Sequence, residues 1–191
     1  MLDIAIPLQG NEFDLVEACC RNERWAQQKV YETYYGKMMP VCQRYAANQD
    51  DALDMLHEGF LKVFKNMDKY QVGTSLTAWV RRVMVNSCID SYRKMARRRT
   101  EDIDAAFHLA DDSQVDAVSQ CSEKDILAAI QKLSPTYRTV FNMFVIEGFS
   151  HKEISDELGI TESTSRANLV KARSKLRELL LARSKDINYA Y

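Results

Sequence analysis

Glycine and proline are scarce in this 191-residue chain, at 6 and 3 residues. That is too few for the many tight turns of an all-β fold, so the expectation moves to helix. Cysteine occurs as an odd set of five (Cys19, Cys20, Cys42, Cys88, Cys121) with no C-x-x-C pair, which argues against a disulfide framework and for a reducing cytoplasm. None of His57, His108 and His151 stands at metal-ligand spacing from them. The cysteines therefore read as small apolar fillers, and neither a metal nor another cofactor is expected. No apolar run approaches the roughly 18 residues of a membrane span. The start, Met1-Leu2-Asp3-Ile4, has an early acid and no basic segment, so it makes a poor signal peptide. No membrane insertion is expected. A net charge of −1 removes any global positive field, so a site for a polyanion must be local. What is present, 46% hydrophobic and 28% charged residues, fits a soluble globular chain.

The charge is unevenly spread. From Asp90 to Thr100 five basic residues (Arg93, Lys94, Arg97, Arg98, Arg99) face one acid, Asp90. From Glu101 to Asp125 eight acids (Glu101, Asp102, Asp104, Asp111, Asp112, Asp116, Glu123, Asp125) face one lysine, Lys124. From Thr161 to Lys185 seven basic residues face only Glu162 and Glu178. Two basic segments are thus separated by an acidic one. The acidic stretch has little helical periodicity, and it reads as a linker over residues 101–121 between domains at 1–100 and 122–191. It is either a solvated tether or an acidic strand that mimics nucleic acid.

The pattern predicts an all-α fold of two small helical domains. Before the linker, helices are expected from Glu12 to about Cys20, Arg24 to Ala47, Asp50 to Tyr70 and Leu76 to Arg98. The third carries Leu53, Leu56, Phe60, Val63 and Met67 at three- and four-residue steps, a buried stripe. Thr74 or Ser75 can cap the fourth, which would bury Leu76, Trp79, Val80 and Val83. After the linker, helices are expected over Ser122–Lys132, Thr136–Glu147, His151–Leu158 and Glu162 to about Leu181. Each domain is near the size where core burial alone gives marginal stability.

The strongest local signal lies at Ser150 to Arg166. Ser150 with Glu153 forms a capping box, Gly159 suits a left-handed turn, and Thr161 can cap a second helix. Helix, glycine turn and longer helix together make a helix-turn-helix. On the second helix Leu169, Leu176 and Leu179 share one face. Arg166, Arg173 and Arg177 lie along one flank of the other face, and Lys171 and Lys175 along the second. Ser163, Thr164 and Ala167 keep its N-terminal end small. Basic flanks can neutralise two phosphate walls while short side chains approach base edges, so this helix suits a DNA major groove.

Two further rows stand out. On the helix from Leu76, Arg82, Asn86, Asp90, Arg93 and Arg97 follow a mostly four-residue rhythm, with Trp79 and Tyr92 nearby. Asparagine can pair with a base edge, and aromatic or arginine groups can stack on unpaired bases. A solvated face would look similar. On the helix from Asp50, the acids Asp51, Asp54 and Glu58 share one face. Acids near a helix N-terminus also occur simply because the dipole favours them.

The order of these pieces resembles the extracytoplasmic-function (ECF) group of bacterial sigma factors, two-domain members of the housekeeping-type sigma family. The likeness runs from about Leu15 to Leu180. Asp51 to Phe60 is similar to region 2.2, which implies that Asp51, Asp54, Glu58 and Phe60 dock on the β′ clamp helices of core RNA polymerase. Ala78 to Asn86 with Ile89, Asp90 and Arg93 is similar to regions 2.3 and 2.4, which melt and read the −10 element. That implies roles there for Trp79, Arg82, Asn86, Asp90, Arg93 and Arg97, with Asn86 on a flipped base and the loop Gln71 to Ser75 helping to form its pocket. Leu133 to Leu176 is similar to region 4. There the first helices dock on the β flap, and Ser163, Thr164, Ser165, Arg166, Asn168, Lys171 and Arg173 would face the −35 element. The resemblance implies promoter DNA, core polymerase and an inhibitory anti-sigma factor as partners.

Some positions depart from the family pattern. Asn168 stands where a basic residue is usual, Ser163 where glycine is frequent and Ser155 where alanine is common. Met84 and Val85 replace a small–basic pair. The serine and asparagine variants resemble forms associated with the Bacteroidetes branch. Asn168 weakens the case for unaided −35 binding and keeps open recruitment by an additional DNA-targeting partner. A stand-alone helix-turn-helix regulator is the rival reading; it predicts a dimer on two half-sites and leaves the N-terminal half unexplained. An enzyme would need a catalytic constellation, and the sequence displays none.

Overall fold

The computed structural model describes residues 12–98 and 122–188, and the proposed linker lies outside them. The first domain comprises α1 (Glu12–Cys20), α2 (Arg24–Tyr45), α3 (Gln49–Lys65) and α4 (Leu76–Arg98). The second comprises α5 (Glu123–Gln131), α6 (Pro135–Phe141), α7 (His151–Leu158) and α8 (Glu162–Asn188). Among the described residues there is no strand.

The apolar stripe on α3 does what its spacing predicts. Leu56, Phe60, Val63 and Met67 are buried and Leu53 is half-buried. They pack on Leu76, Val80, Met84 and Ile89 of α4. Gly59 lets the two helices approach closely: a Cβ there would lie 2.1 Å from Met84 Sδ. Three of the cysteines, Cys19, Cys42 and Cys88, are free and buried as fillers, and Cys20 is exposed.

The helix expected over Asp50–Tyr70 stops earlier, at Lys65. Asn66 leaves the helical region, and a short 3₁₀ turn follows over Met67–Lys69. Met67 is still buried, which is why the apolar rhythm read as one unbroken helix. The helix expected over Thr136–Glu147 also differs. Ser134 caps it and Pro135 occupies its first turn, where a missing N–H costs nothing. Its second half, Asn142–Ile146, widens into a π segment.

The core does not end at the domain boundary. One hydrophobic cluster runs from α1–α4 into Val140, Met143, Ile154 and Leu169 of the second domain. A smaller one joins α5 to α8 through Ile130, Leu133, Ala172, Leu176 and Leu180. Sharing apolar surface in this way gives two small domains more burial than either has alone.

Candidate nucleic-acid and docking interface

The acid row sits on the outer face of α3. Asp51, Asp54 and Glu58 are all exposed. Asp51 is partly committed to the helix start: its N–H donates to Asn48 Oδ1 at 2.8 Å, and its carboxylate accepts from Asn48 Nδ2 at 3.0 Å. Leu61, three residues beyond Glu58 on the same face, is 63% exposed. It was not singled out from the sequence, although the three- and four-residue rhythm of the row passes through it. Phe60 is a correction: it is 2% exposed and packs against Tyr31 with ring centroids 4.7 Å apart. It shapes the core beneath the row and is not available on the surface.

On α4, Arg82 and Asn86 are exposed and Trp79 is half-buried, tilted on Tyr70 at 5.6 Å. A cleft of about 330 Å³ is lined by Trp79, Arg82 and Asn86 together with Lys62, Asn66 and Lys69. The last three come from the end of α3 and the turn after it, so α4's periodicity could not reveal them. The cleft offers three cations, two amides and an indole. That set can grip a phosphodiester strand and receive one unstacked base. Residues Gln71 to Ser75 are exposed and outside its lining. Ser75 Oγ accepts from Ala78 N at 3.2 Å and so caps α4.

The rest of the row is engaged. Asp90 accepts from Lys62 Nζ at 2.8 Å and from Arg93 Nη1 at 3.1 Å. Burial pushes the Asp90 carboxyl up, but these two cations outweigh it and hold it below the usual carboxylate range. Arg93 also pairs with the Glu157 carboxylate and donates to the Glu157 carbonyl, both in the second domain. Arg97 is exposed.

The helix-turn-helix forms as its residues direct. Ser150 and Glu153 make the reciprocal capping box, and Gly159 takes φ 67° at the turn. Thr161 Oγ1 accepts from Thr164 N at 3.1 Å to cap α8. Leu169 and Leu176 face inward, while Ser163, Thr164, Arg166, Ala167 and Arg173 are exposed. Asn168 and Lys171 are half-buried. Arg166 is drawn to Glu162 at 2.7 Å. Ser165 is the second correction. It is fully buried with its Oγ 2.9 Å from His151 Nδ1, so it ties α8 to α7 and does not face outward.

His151 is stacked on Phe144 at 4.4 Å. Burial, with Arg166 and Arg173 nearby, lowers its pKa from the ordinary 6.5 against an opposing pull from Glu162. The fold therefore favours the neutral ring. Below pH 6.5 the unfolded chain takes up a proton that the folded chain resists. This contribution to stability is complete above that pH and is lost as the pH falls through it. Thermal unfolding followed from neutrality down to about pH 5 should show a declining Tm, and His151→Gln should flatten that decline.

Among the described residues no group of His, Cys, Asp and Glu could hold a metal, and no helix is long and apolar enough to cross a membrane.

Comparison with known proteins gives these surfaces a common context. The family description Sigma-70 region 2 matches residues 30–99, and Sigma-70, region 4 matches residues 123–176. ECF RNA polymerase sigma factor SigE of Mycolicibacterium smegmatis is 31% identical over 75% of this chain, which spans 57% of that protein's length. ECF RNA polymerase sigma factor EcfG of Rhodopseudomonas palustris is 30% identical over 71% of this chain and 74% of its own length. The sigma factor RpoE of Bartonella quintana, solved in complex with the anti-sigma factor NepR, superposes with a TM-score of 0.44 at 22% identity, covering 80% of this chain and 97% of that one. Two matched regions in the expected order, and an EcfG likeness that runs through most of both proteins, lead to one conclusion: the chain belongs to the ECF family of RNA polymerase sigma factors.

Proposed function

We propose that the chain acts as a dissociable, non-catalytic initiation subunit that binds core RNA polymerase and selects promoters. The observation that carries this reading is the coexistence of three surfaces on one chain. They are an exposed acid row on α3, a cation-and-amide cleft beside Asn86, and a capped helix-turn-helix with basic flanks. In this reading Asp51, Asp54 and Glu58, with Leu61 as an apolar anchor, meet the β′ clamp helices. The exposed Ile126, Val145 and Ile146 of the second domain meet the β flap. Trp79, Arg82 and Asn86 hold the melted −10 strand with Lys62, Asn66 and Lys69. Ser163, Thr164, Arg166, Lys171 and Arg173 address the −35 duplex. Residues 101–121 tether the two domains, and an inhibitory anti-sigma factor is a further partner. Placement in the housekeeping-type family near the Bacteroidetes branch belongs to the same proposal and rests on Ser155, Ser163 and Asn168.

The test is a reconstituted run-off assay. Core enzyme with this chain should initiate at a defined start, and the chain alone should occupy duplex promoter only weakly. Tight occupancy without polymerase would instead favour a stand-alone regulator.

Arg166→Ala with Lys171→Ala should cut output from −35-dependent promoters. Each lost phosphate contact should lower the slope of log affinity against log salt by about 1. A second reading, recruitment by an additional DNA-targeting partner, is favoured by Asn168, which is uncharged and half-buried in the groove-facing helix. Unchanged output from the double variant would select it.

A further inference from the structure

The helix-turn-helix holds a single histidine, and it is built into the contact between α7 and α8. His151 is half-buried. Phe144 of the π segment stacks on its ring at 4.4 Å, and its Nδ1 lies 2.9 Å from the buried Ser165 Oγ of α8. A hydroxyl can donate or accept, so this bond serves the neutral ring and, with its direction reversed, the charged one. Ser165 is next in the chain to Arg166, so the ring sits at the root of the basic flank. The Arg166 guanidinium is itself engaged: it is drawn to the Glu162 carboxylate, one turn back, at 2.7 Å.

Three charges of α8 act on the ring, with opposite signs. Arg166 and Arg173 oppose its protonation, and Glu162 favours it. In the free chain burial and the two arginines prevail. On α7 itself Lys152 is exposed and Glu153 is bound to the Ser150 cap. The π segment brings Phe144 and no charged residue, and Glu147 just beyond it is held by Arg81. From α4, Arg93 is held by Glu157, and Arg82 shares a cleft with Glu153. The groups that a duplex lying on α8 would disturb are therefore Glu162, Arg166 and Arg173.

A wall of phosphates reverses this balance. Phosphate competes with Glu162 for the Arg166 guanidinium. The charges of Arg166 and Arg173 are then neutralised, Glu162 is left beside the ring without its cation, and the phosphates add negative potential. All three changes favour the imidazolium. We propose that His151 is a positioning residue of the duplex-reading face, and that docking of a DNA duplex on α8 is coupled to uptake of a proton from solvent by its ring, through transfer of Arg166 from Glu162 to phosphate. The inference rests on the reading of α8 as the −35 helix. The ring is harder to protonate in the free chain than in the complex. Affinity therefore rises as the pH falls through the bound-state pKa, and the gain is complete below the free-state one. Acid loosens the free chain and tightens its complex, two opposite effects from one ring.

The experiment titrates the full chain into a rhodamine-labelled, random-sequence DNA duplex at low salt, from about pH 8 to about pH 6, and reads anisotropy. Calorimetry near neutrality, in two buffers of different ionisation enthalpy, measures proton uptake by the unaltered chain. Each variant is verified as helical by circular dichroism. The wild-type chain should take up protons on binding and bind roughly three- to tenfold more tightly at the acid end, tenfold being what a pKa about one unit higher in the complex gives. His151→Gln, which can still bond to Ser165, should bind with neither the pH dependence nor the uptake. Glu162→Gln should bind with a smaller pH dependence. Binding by the wild-type chain that ignores pH and takes up no proton would overturn the proposal while leaving α8 as the duplex-facing helix. So would an undiminished pH dependence in His151→Gln, because another group would then be titrating. Failure to bind duplex at any pH would remove the reading of α8, and this proposal with it.

Discussion

Asp54→Arg is expected to leave the fold intact and abolish polymerase-dependent initiation. Asp54 is exposed in the second turn of α3, and among the described residues it has no hydrogen-bond or ion-pair partner. Surface substitutions of this kind usually change stability by no more than about 0.5 kcal/mol. At a docked interface the same change places a cation against the basic partner that the acid row is proposed to meet. Disrupting a desolvated charge pair costs about 2–5 kcal/mol, roughly thirtyfold to several-thousandfold in affinity. Association with core enzyme, measured by titration of labelled chain, should weaken by that amount while the melting curve stays unchanged. Asp51 is the less informative site, because its carboxylate and N–H also take part in the Asn48 cap. Wild-type core affinity in Asp54→Arg would remove α3 from the docking surface.

The largest stability effect is expected at Arg138. Its side chain is 4% exposed, and Nη1 donates to the carbonyls of Ala46 and Gln131 at 2.7 and 3.1 Å. It thus closes the end of α2 and the end of α5 together, one from each domain. Burial lowers the guanidinium pKa, but arginine remains charged in proteins. A cation between two helix C-termini is favourably placed with respect to their dipoles. Arg138→Ala strands both carbonyls and leaves a cavity, with a loss of about 2–4 kcal/mol. Arg138→Met fills the space without supplying donors, so it should lose less. Urea denaturation of the two variants separates these contributions. Equal stability of Arg138→Ala and the wild-type chain would mean that this contact between the domains adds nothing to the fold.

What was legible in the sequence was local. The capping box at Ser150 and Glu153, the turn at Gly159 and the stripe on α3 depend on residues three or four positions apart. Their physics is visible in a short window. The contact between the domains depends on partners far apart in sequence: Arg138 with Ala46, 92 residues away, and Asn142 with Arg44, 98 residues away. No spacing announces such a pair. Asn142 also lies at the start of the π segment that interrupted an expected helix. Lys62, Asn66 and Lys69 were missed for the same reason, since they join the Asn86 cleft from a different element. Phe60 and Ser165 failed in the opposite direction. Similarity to a motif assigns a stretch of chain to a surface, but the helical turn of about 100° per residue sends some members of that stretch inward.

The close approach at Gly59 and Met84 bears on how information passes through the molecule. With no side chain to act as a spacer, the helix carrying the acid row packs directly on Met84 of the helix carrying Asn86. In the function proposed above, a partner docked on the first helix would press through this contact on the helix proposed to meet the nucleotide. Bulk introduced at that one contact must displace the Met84 thioether and so disturbs the packing between the two helices.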